Sequence, residues 1–168
     1  MKLFSAVYHS KALLKKCFFK TIYGKKVSFG SKVTWRRNFS LVIGPKAYIK
    51  IGNNSFFNHE CTLDATTGIE IGEGTLFGEN VKVYDHNHRF NDFDKPIKEQ
   101  GYSSKKIIIG NHCWIGSNTI ILKGVHIGDN CVIGAGCIIS TDIPKNTIVK
   151  VDNNNLVKIK IIPNRRKL

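Results

Sequence analysis

The sequence predicts an all-β protein, a parallel β-helix of hexapeptide repeats with an N-terminal capping segment and one long protruding loop. Six isoleucines stand six residues apart from Ile109 to Ile139, and glycine follows four of them. Six is a multiple of the two-residue strand period but not of the 3.6-residue helical turn, so these side chains share a face only in an extended chain. Glycine after an apolar position favours a bend. We therefore expect short strands whose isoleucines stack into one ladder, as is typical of hexapeptide repeats.

Residues 1–26 form the first predicted unit, a basic capping segment. Leu14, Phe18 and Ile22 stand four apart, which suits a helix with one apolar face, and Gly24 is a reasonable stop. A β-helix has open ends that must be covered, so we expect this helix to cap the coil. The alternative interpretation is a basic amphipathic segment in peripheral contact with the inner face of an anionic membrane.

The β-helix itself is predicted over residues 27–149. Its repeat is loose before Ile51, tight after Ile107, and interrupted by a polar, aromatic loop at residues 84–106. A loop of this length in a compact domain is usually functional. Pro144 cannot donate to a strand ladder and ends the regular coil, which leaves residues 150–168 as C-terminal strands and a basic tail.

Charge and composition limit the classes of function. The net charge is +14, and no Asp or Glu precedes Glu60, whereas that stretch holds twelve Lys or Arg. Basic ends attract phosphates, anionic polysaccharide or anionic lipid, and no nucleic-acid-binding motif accompanies them. No apolar run reaches the ~18 residues of a transmembrane helix, and the N-terminus lacks signal-peptide features. Five cysteines without C-x-x-C spacing predict reduced thiols of a cytoplasmic protein.

The strongest chemical signal is Asp85-His86-Asn87-His88 within the loop. An imidazole near neutral pKa can take a proton from a hydroxyl or an amine and return it. Such a base needs an orienting partner on its other nitrogen, which Asp85 or a backbone carbonyl can supply. The candidate catalytic residues are therefore His88, His86 and Asp85, and Tyr84 beside them is a candidate substrate-binding residue.

These motifs resemble the hexapeptide-repeat acyltransferases, specifically the sugar O-acetyltransferase group with the galactoside and maltose acetyltransferases. The segments that carry the resemblance are Ile71–Gly74, Asp85–His88, Ile109–Ser117, Val125–Asn130, Val132–Gly136 and Asp142–Pro144. The resemblance covers about residues 51–149. It implies a left-handed β-helix with three short strands per eighteen-residue coil. It also implies a homotrimer with active sites between subunits, where acetyl-CoA lies along the coils.

The resemblance also implies residue roles. His88, rather than His86, falls on the family's catalytic position, where histidine deprotonates the acceptor hydroxyl for direct attack on the thioester. Asn58 and Trp114 match acceptor-site residues. The implied cofactor-binding residues are Trp114, Ser117, Gly134, Ala135 and Gly136, and among them Ser117 would stabilise the oxyanion through its main-chain N–H. The sequence departs from the family at the loop that shapes the nucleotide end of the CoA site. There we predict that Lys150, Lys158 and Lys160 supply the charge for the CoA phosphates.

The leading prediction is an acetyl-CoA-dependent O-acetyltransferase without a metal, acting on a sugar hydroxyl of a surface or capsular polysaccharide or its precursor. The first alternative is N-acetylation of a nucleotide-linked amino sugar. A second is a trimeric zinc hydratase resembling the γ-class carbonic anhydrases, for which His59, His86 and His88 are candidates at a spacing that does not match that family. A third is a non-catalytic scaffold in polysaccharide assembly.

Overall fold

The computed structural model describes residues 2–151 and 157–161, with side chains described for residues 12–151. The predicted basic tail lies outside the described residues. The chain starts with helix α1 (Lys2–Tyr23) and a 3₁₀ turn (Gly24–Lys26). The strands that follow are β1 (Val27–Phe29), β2 (Thr34–Trp35), β3 (Ser40–Ile43), β4 (Ile49–Ile51), β5 (Phe56–Phe57), β6 (Thr62–Ala65), β7 (Ile69–Ile71), β8 (Leu76–Phe77), β9 (Lys82–Tyr84), β10 (His86–His88), β11 (Tyr102–Ser104), β12 (Ile107–Ile109), β13 (Trp114–Ile115), β14 (Ile120–Ile121), β15 (His126–Ile127), β16 (Val132–Ile133), β17 (Ile138–Ile139), β18 (Thr147–Val151) and β19 (Val157–Ile161), with a second 3₁₀ turn at Ile97–Glu99.

The strands form the three walls of a prism. Sheet A contains β1, β4, β7, β12 and β15; sheet B contains β2, β5, β8, β13, β16 and β18; sheet C contains β3, β6, β9, β14 and β17. All neighbours within these sets are parallel, and β19 adds to β18 as an antiparallel strand. This architecture confirms the predicted fold class, a left-handed parallel β-helix of about five coils with an N-terminal helix.

The isoleucine repeat builds three ladders, so the prediction of one ladder is wrong. Ile109 pairs with Ile127 in sheet A. Ile115 pairs with Ile133 in sheet B, and Ile121 pairs with Ile139 in sheet C, at the same offset of eighteen residues. The chain turns a corner after every short strand, so six residues carry it to the next wall and eighteen bring it back. All six side chains point inward and are buried.

Helix α1 covers the open end of the prism through a different face from the one predicted. Phe19 is 5% exposed and packs on the rings of Trp35 and Phe39, with centroids 6.1 and 6.3 Å away. The stripe expected to pack, Leu14, Phe18 and Ile22, is instead exposed. The aromatic rings at the end of the core select Phe19, because only that face of the helix meets them.

Glycine at position 116 is required by the close passage of the next coil. A Cβ there would lie 2.5 Å from the backbone N of Ala135 and 2.7 Å from the carbonyl carbon of Gly134. We expect Gly116→Ala to lower the free energy of unfolding by about 3 kcal/mol, because two backbone segments must separate.

Gly101→Ala is the matched control for that substitution. Gly101 has φ +71° and no heavy atom within 4 Å of a built Cβ. Its cost should stay near 1 kcal/mol, the penalty of a left-handed conformation alone. Urea unfolding of both variants measures the difference, and equal losses would refute the steric argument.

Candidate active site

The loop that interrupts the repeat forms a hairpin, which we call the arm (residues 85–106). Strands β10 and β11 pair in antiparallel register, His86 with Ser104 and His88 with Tyr102. In sheet C, Lys82 and Ile120 are neighbours although 38 residues separate them, twenty more than in the regular coil. The arm leaves the prism at the corner between sheets C and A, because Lys105 N–H bonds back to the carbonyl of Asp85 and Ile107 N–H to that of Gly68.

Asp85 anchors the base of the arm. Its side chain is fully buried. One carboxylate oxygen accepts from the N–H and hydroxyl of Thr66 at 2.8 and 3.1 Å, and the other accepts from the N–H groups of Thr67 and Gly68 at 2.7 and 2.6 Å. A buried carboxylate is tolerated where such donors surround it. Asp85 therefore fastens the arm to the corner of the preceding coil.

His86 is the partner of this carboxylate. Its Nδ1 lies 3.2 Å from Asp85 Oδ1, and its side chain is only 15% exposed. Asp85 thus orients His86 and not His88, although the sequence left open which histidine it serves. His88 stands two residues further on the same strand and is exposed to solvent.

Tyr102 and Asp64 complete this cluster, and sequence reasoning did not place either in the site. The Tyr102 ring contacts both imidazoles, with centroids 5.0 Å from His86 and 4.6 Å from His88. Asp64 pairs with Tyr84 in sheet C. Burial raises the pKa of the Asp64 carboxyl, nearby His86 opposes that rise, and Asp85 adds to it. The strand register reveals both residues. Tyr102 lies opposite His88 in the arm, and Asp64 lies opposite Tyr84, which is twenty residues away in the chain.

The predicted acceptor and cofactor residues lie elsewhere on the prism. Trp114 projects outward from sheet B, 57% exposed, between Leu76 and Val132. Five of the predicted residues lie at the corner between sheets B and C: Asn58, Ser117, Gly134, Ala135 and Gly136. The Asn58 side chain accepts from the N–H of His59 at 2.9 Å, and the Ser117 hydroxyl accepts from the N–H of Glu79 at 3.1 Å.

Two of the lysines assigned to the cofactor are register partners at the end of sheet B. Lys150 on β18 pairs with Lys158 on β19, and the Lys150 side chain is exposed. The side chain of Lys158 is outside the described part of the structure. Strand β18 also crosses the boundary that the sequence suggested after residue 149.

The candidate residues therefore occupy two separate surfaces of one chain. The arm leaves the corner between sheets C and A, and in a three-sided prism that corner faces away from sheet B. Tyr84, His86 and His88 are brought together on the arm side. Trp114 and Ser117 lie on the other side, so one chain does not assemble the full set of predicted site residues.

The zinc hydratase alternative requires a cluster of metal-binding side chains. In the part of the chain that the structure describes, no three His, Cys, Asp or Glu side chains come together in a group that could hold a metal ion. His59 lies at the corner between sheets B and C, whereas His86 and His88 are on the arm. Likewise, no described helix is long and apolar enough to span a bilayer.

Four of the five described cysteines are poorly placed to act as nucleophiles. Cys61, Cys113, Cys131 and Cys137 are buried, and none of the five described cysteines forms a disulfide. Burial raises the pKa of Cys61 to about 11. A neutral, inward thiol is a poor nucleophile.

We expect one fast-reacting thiol per chain, Cys17, when native protein meets an aromatic disulfide reagent near neutral pH. The four buried thiols should react only on unfolding, because the folded chain makes them inaccessible to the reagent. Substituting any one cysteine by alanine should leave the activity that the sequence resemblance implies, acetyl transfer, largely intact. A trapped acetyl-cysteine in a peptide map would contradict this expectation.

Comparison with known proteins places these features in a family. Residues 106–141 match the family model described as the hexapeptide repeat of succinyl-transferase. Galactoside O-acetyltransferase of Escherichia coli K12 is 39% identical over 101 residues, covering 60% of this chain and 48% of that protein. The chain spans about half or less of the length of such curated relatives.

Solved structures give the same result over more of the chain. A maltose O-acetyltransferase from Clostridium difficile 630 superposes with a TM-score of 0.69 and 32% identity, covering 86% of this chain and 75% of that one. A hexapeptide-repeat acetyltransferase from Vibrio cholerae, solved with acetyl-CoA, shares the fold with a TM-score of 0.74 and 24% identity over 90% of this chain and 78% of that one. The chain therefore belongs to the hexapeptide-repeat acetyltransferase family. Its relatives there include the galactoside and maltose O-acetyltransferases, which confirms the resemblance read from the sequence.

Proposed function

We propose that this protein transfers the acetyl group of acetyl-CoA to a saccharide hydroxyl, with His88 as the general base. The observation that carries the proposal is the exposed imidazole of His88 on an arm that interrupts an acetyltransferase scaffold. Family membership supports acetyl-CoA as the donor, because a structural neighbour is complexed with it. Sugar acetyltransferases among the relatives support a hydroxyl acceptor.

The reaction needs one proton transfer and one acyl transfer. His88 takes the proton of the acceptor hydroxyl while the oxygen attacks the thioester carbonyl. The main-chain N–H of Ser117 donates to the oxyanion of the tetrahedral intermediate. Its collapse breaks the carbon–sulfur bond, and the proton passes from the imidazolium to the departing CoA thiolate. No acyl-enzyme is formed.

A site with these parts requires two copies of the chain. The outward face of sheet B is apolar at its centre, where Leu76 is 47% and Trp114 57% exposed, side by side. Exposed apolar neighbours of this size favour an interface. We infer a homotrimer in which one subunit supplies the arm and the next supplies Trp114, Ser117 and the segment 134–136. A closed ring of this kind repeats the same heterologous contact three times.

The arm also suggests the charge of the acceptor. An open groove beside His88 is lined by Arg89, Phe90 and Lys123, and the Lys123 ammonium donates to Ser103 of the arm at 2.7 Å. Two cations next to the proposed base favour an anionic saccharide, such as a surface or capsular polysaccharide or its precursor. The ring of Phe90, 71% exposed, offers a face on which a sugar can pack.

The direct test is CoA release by purified protein with acetyl-CoA and three acceptor sets: neutral sugars, amino sugars and acidic oligosaccharides. The expected product is a base-labile ester formed fastest on acidic oligosaccharides. A base-stable amide on amino sugars would replace the proposal with N-acetylation. Acetyl-CoA binding without transfer to any acceptor would favour the scaffold.

Subunit mixing tests whether the site lies between copies. His88→Asn and Trp114→Ala chains should each be inactive alone. Co-assembled at equal amounts, about a quarter of the sites in random trimers would combine an intact arm with an intact sheet B. Recovery of activity on mixing supports the shared site, whereas mixtures that stay inactive would place both residues in one chain's site.

A further inference from the structure

The helix-capped end of the prism has a surface composition unlike the rest of the molecule. It consists of α1 and the first coil, which runs from Val27 to Ala47. Between residues 12 and 47 there are nine Lys or Arg and no Asp or Glu. The first acidic residue of the chain, Glu60, belongs to the second coil.

The lysines of α1 whose side chains the structure describes have no acidic partner. In the described part of the chain, no acidic side chain pairs with Lys15, Lys16 or Lys20. The ammonium of Lys15 instead donates to the carbonyl of Phe39 at 2.6 Å. Burial and the neighbouring charge of Lys20 lower the pKa of Lys16, as expected where cations crowd one another. This end of the prism therefore carries a concentrated positive charge.

An apolar stripe runs through this charge. Leu14 is 74% exposed, Phe18 57% and Ile22 55%, one helical turn apart on α1. The stripe is not needed to cap the core, because Phe19 and Ala12 on another face of α1 do that. Three large apolar side chains in line on an exposed basic helix are the pattern of a segment that lies in a lipid interface.

We propose that this end of the protein docks on a membrane that contains anionic lipids, with Leu14, Phe18 and Ile22 inserted among the acyl chains. The lysines of α1 and of the first coil then lie at the level of the phosphates. In this orientation the helix-capped end contacts the lipid, and the long axis of the prism points away from the membrane plane. The inference rests on this surface alone and is independent of the proposed acetyl transfer.

Charge decides between lipid and a second copy of the chain as the occupant. A second copy that presents the same stripe would also present its own unpaired lysines, and like charges oppose that contact. An anionic lipid surface attracts the same lysines while its acyl chains accept the stripe. Both the apolar and the charged parts of this end therefore fit an anionic membrane, whereas a second copy docked through the same stripe fits only the apolar part.

Vesicle sedimentation with the full chain tests the proposal. The probes are phosphatidylcholine vesicles and vesicles in which about 30% of the lipid is phosphatidylglycerol. We expect binding to the anionic vesicles only, weakened by added salt. The triple variant Leu14→Ser/Phe18→Ser/Ile22→Ser should lower the partition coefficient by more than about tenfold. Replacing Lys16 and Lys20 by Gln should lower it about fivefold for each lysine.

The matched control is Phe93→Ser/Ile97→Ser/Ile138→Ser, three apolar side chains that are 97%, 55% and 57% exposed and lie away from α1. This variant should bind the vesicles like the wild type. Circular dichroism and thermal unfolding of both triple variants verify that each is folded. Failure of the wild type to sediment with anionic vesicles would overturn the proposal, as would undiminished binding by the stripe variant. A change in oligomeric state confined to the stripe variant, without vesicle binding by the wild type, would assign the stripe to contacts between copies.

Discussion

Replacing His88 by asparagine is expected to lower kcat for acetyl transfer by about 10²–10⁴-fold, the usual contribution of a general base. Without the His88 imidazole, the acceptor hydroxyl would have to lose its proton to solvent. Acetyl-CoA affinity should change little, because the proposed donor contacts lie on sheet B and at the corner beside it. Steady-state kinetics together with calorimetric titration of acetyl-CoA separate the two effects.

His86→Asn is the matched control, because the two histidines share one strand and one aromatic neighbour, Tyr102. His86 lies against Asp85 and is mostly buried, so its loss should change the position of the arm more than it impairs the proton transfer. We expect a partial loss of kcat and a lower thermal midpoint. Full activity in His88→Asn with none in His86→Asn would reassign the base to the Asp85–His86 pair.

Replacing Asp85 by alanine is expected to lower the free energy of unfolding by about 3–5 kcal/mol, the cost of removing one partner from a buried charged network. Three backbone N–H groups, of Thr66, Thr67 and Gly68, would lose their acceptor inside the protein. Urea unfolding gives the total loss. Hydrogen exchange shows its location, since the amides of these three residues should lose protection first.

Asp94→Ala is a suitable control, because Asp94 is an exposed carboxylate on the same arm. Its effect on stability should stay within about 0.5 kcal/mol. If Asp85→Ala unfolds like the wild type but loses activity, then Asp85 acts in catalysis and the anchoring role is wrong. If both stability and activity fall, the anchor accounts for the result, because the arm that carries His88 is no longer held.

The isoleucine spacing was sufficient to predict the coil. A period of six leaves extended structure as the solution that keeps Ile109, Ile115 and Ile121 on the inside, and inward burial is what the structure has. The number of walls did not follow from the spacing. Stacking partners are eighteen residues apart, a distance set by the corners rather than by the strand period.

The helix face shows why amphipathic spacing alone can mislead. The stripe of Leu14, Phe18 and Ile22 is the more regular pattern in the sequence, yet Phe19 is the residue that packs. Which face turns inward depends on the rings of Trp35 and Phe39 at the end of the prism. Those rings belong to the first coil, so the residue spacing within α1 carries no information about them.

By itself, the sequence determined the extended repeat, the place where it breaks, and the pair of histidines at that break, because all three are local patterns of residue type and spacing. Only the tertiary structure decided what those histidines meet. Asp64 reaches the arm because the second coil is twenty residues long, while the regular coils take eighteen. The separation of His88 from Trp114 is likewise a property of the closed prism, since His88 is on the arm at the corner between sheets C and A whereas Trp114 is on sheet B, which faces away from that corner.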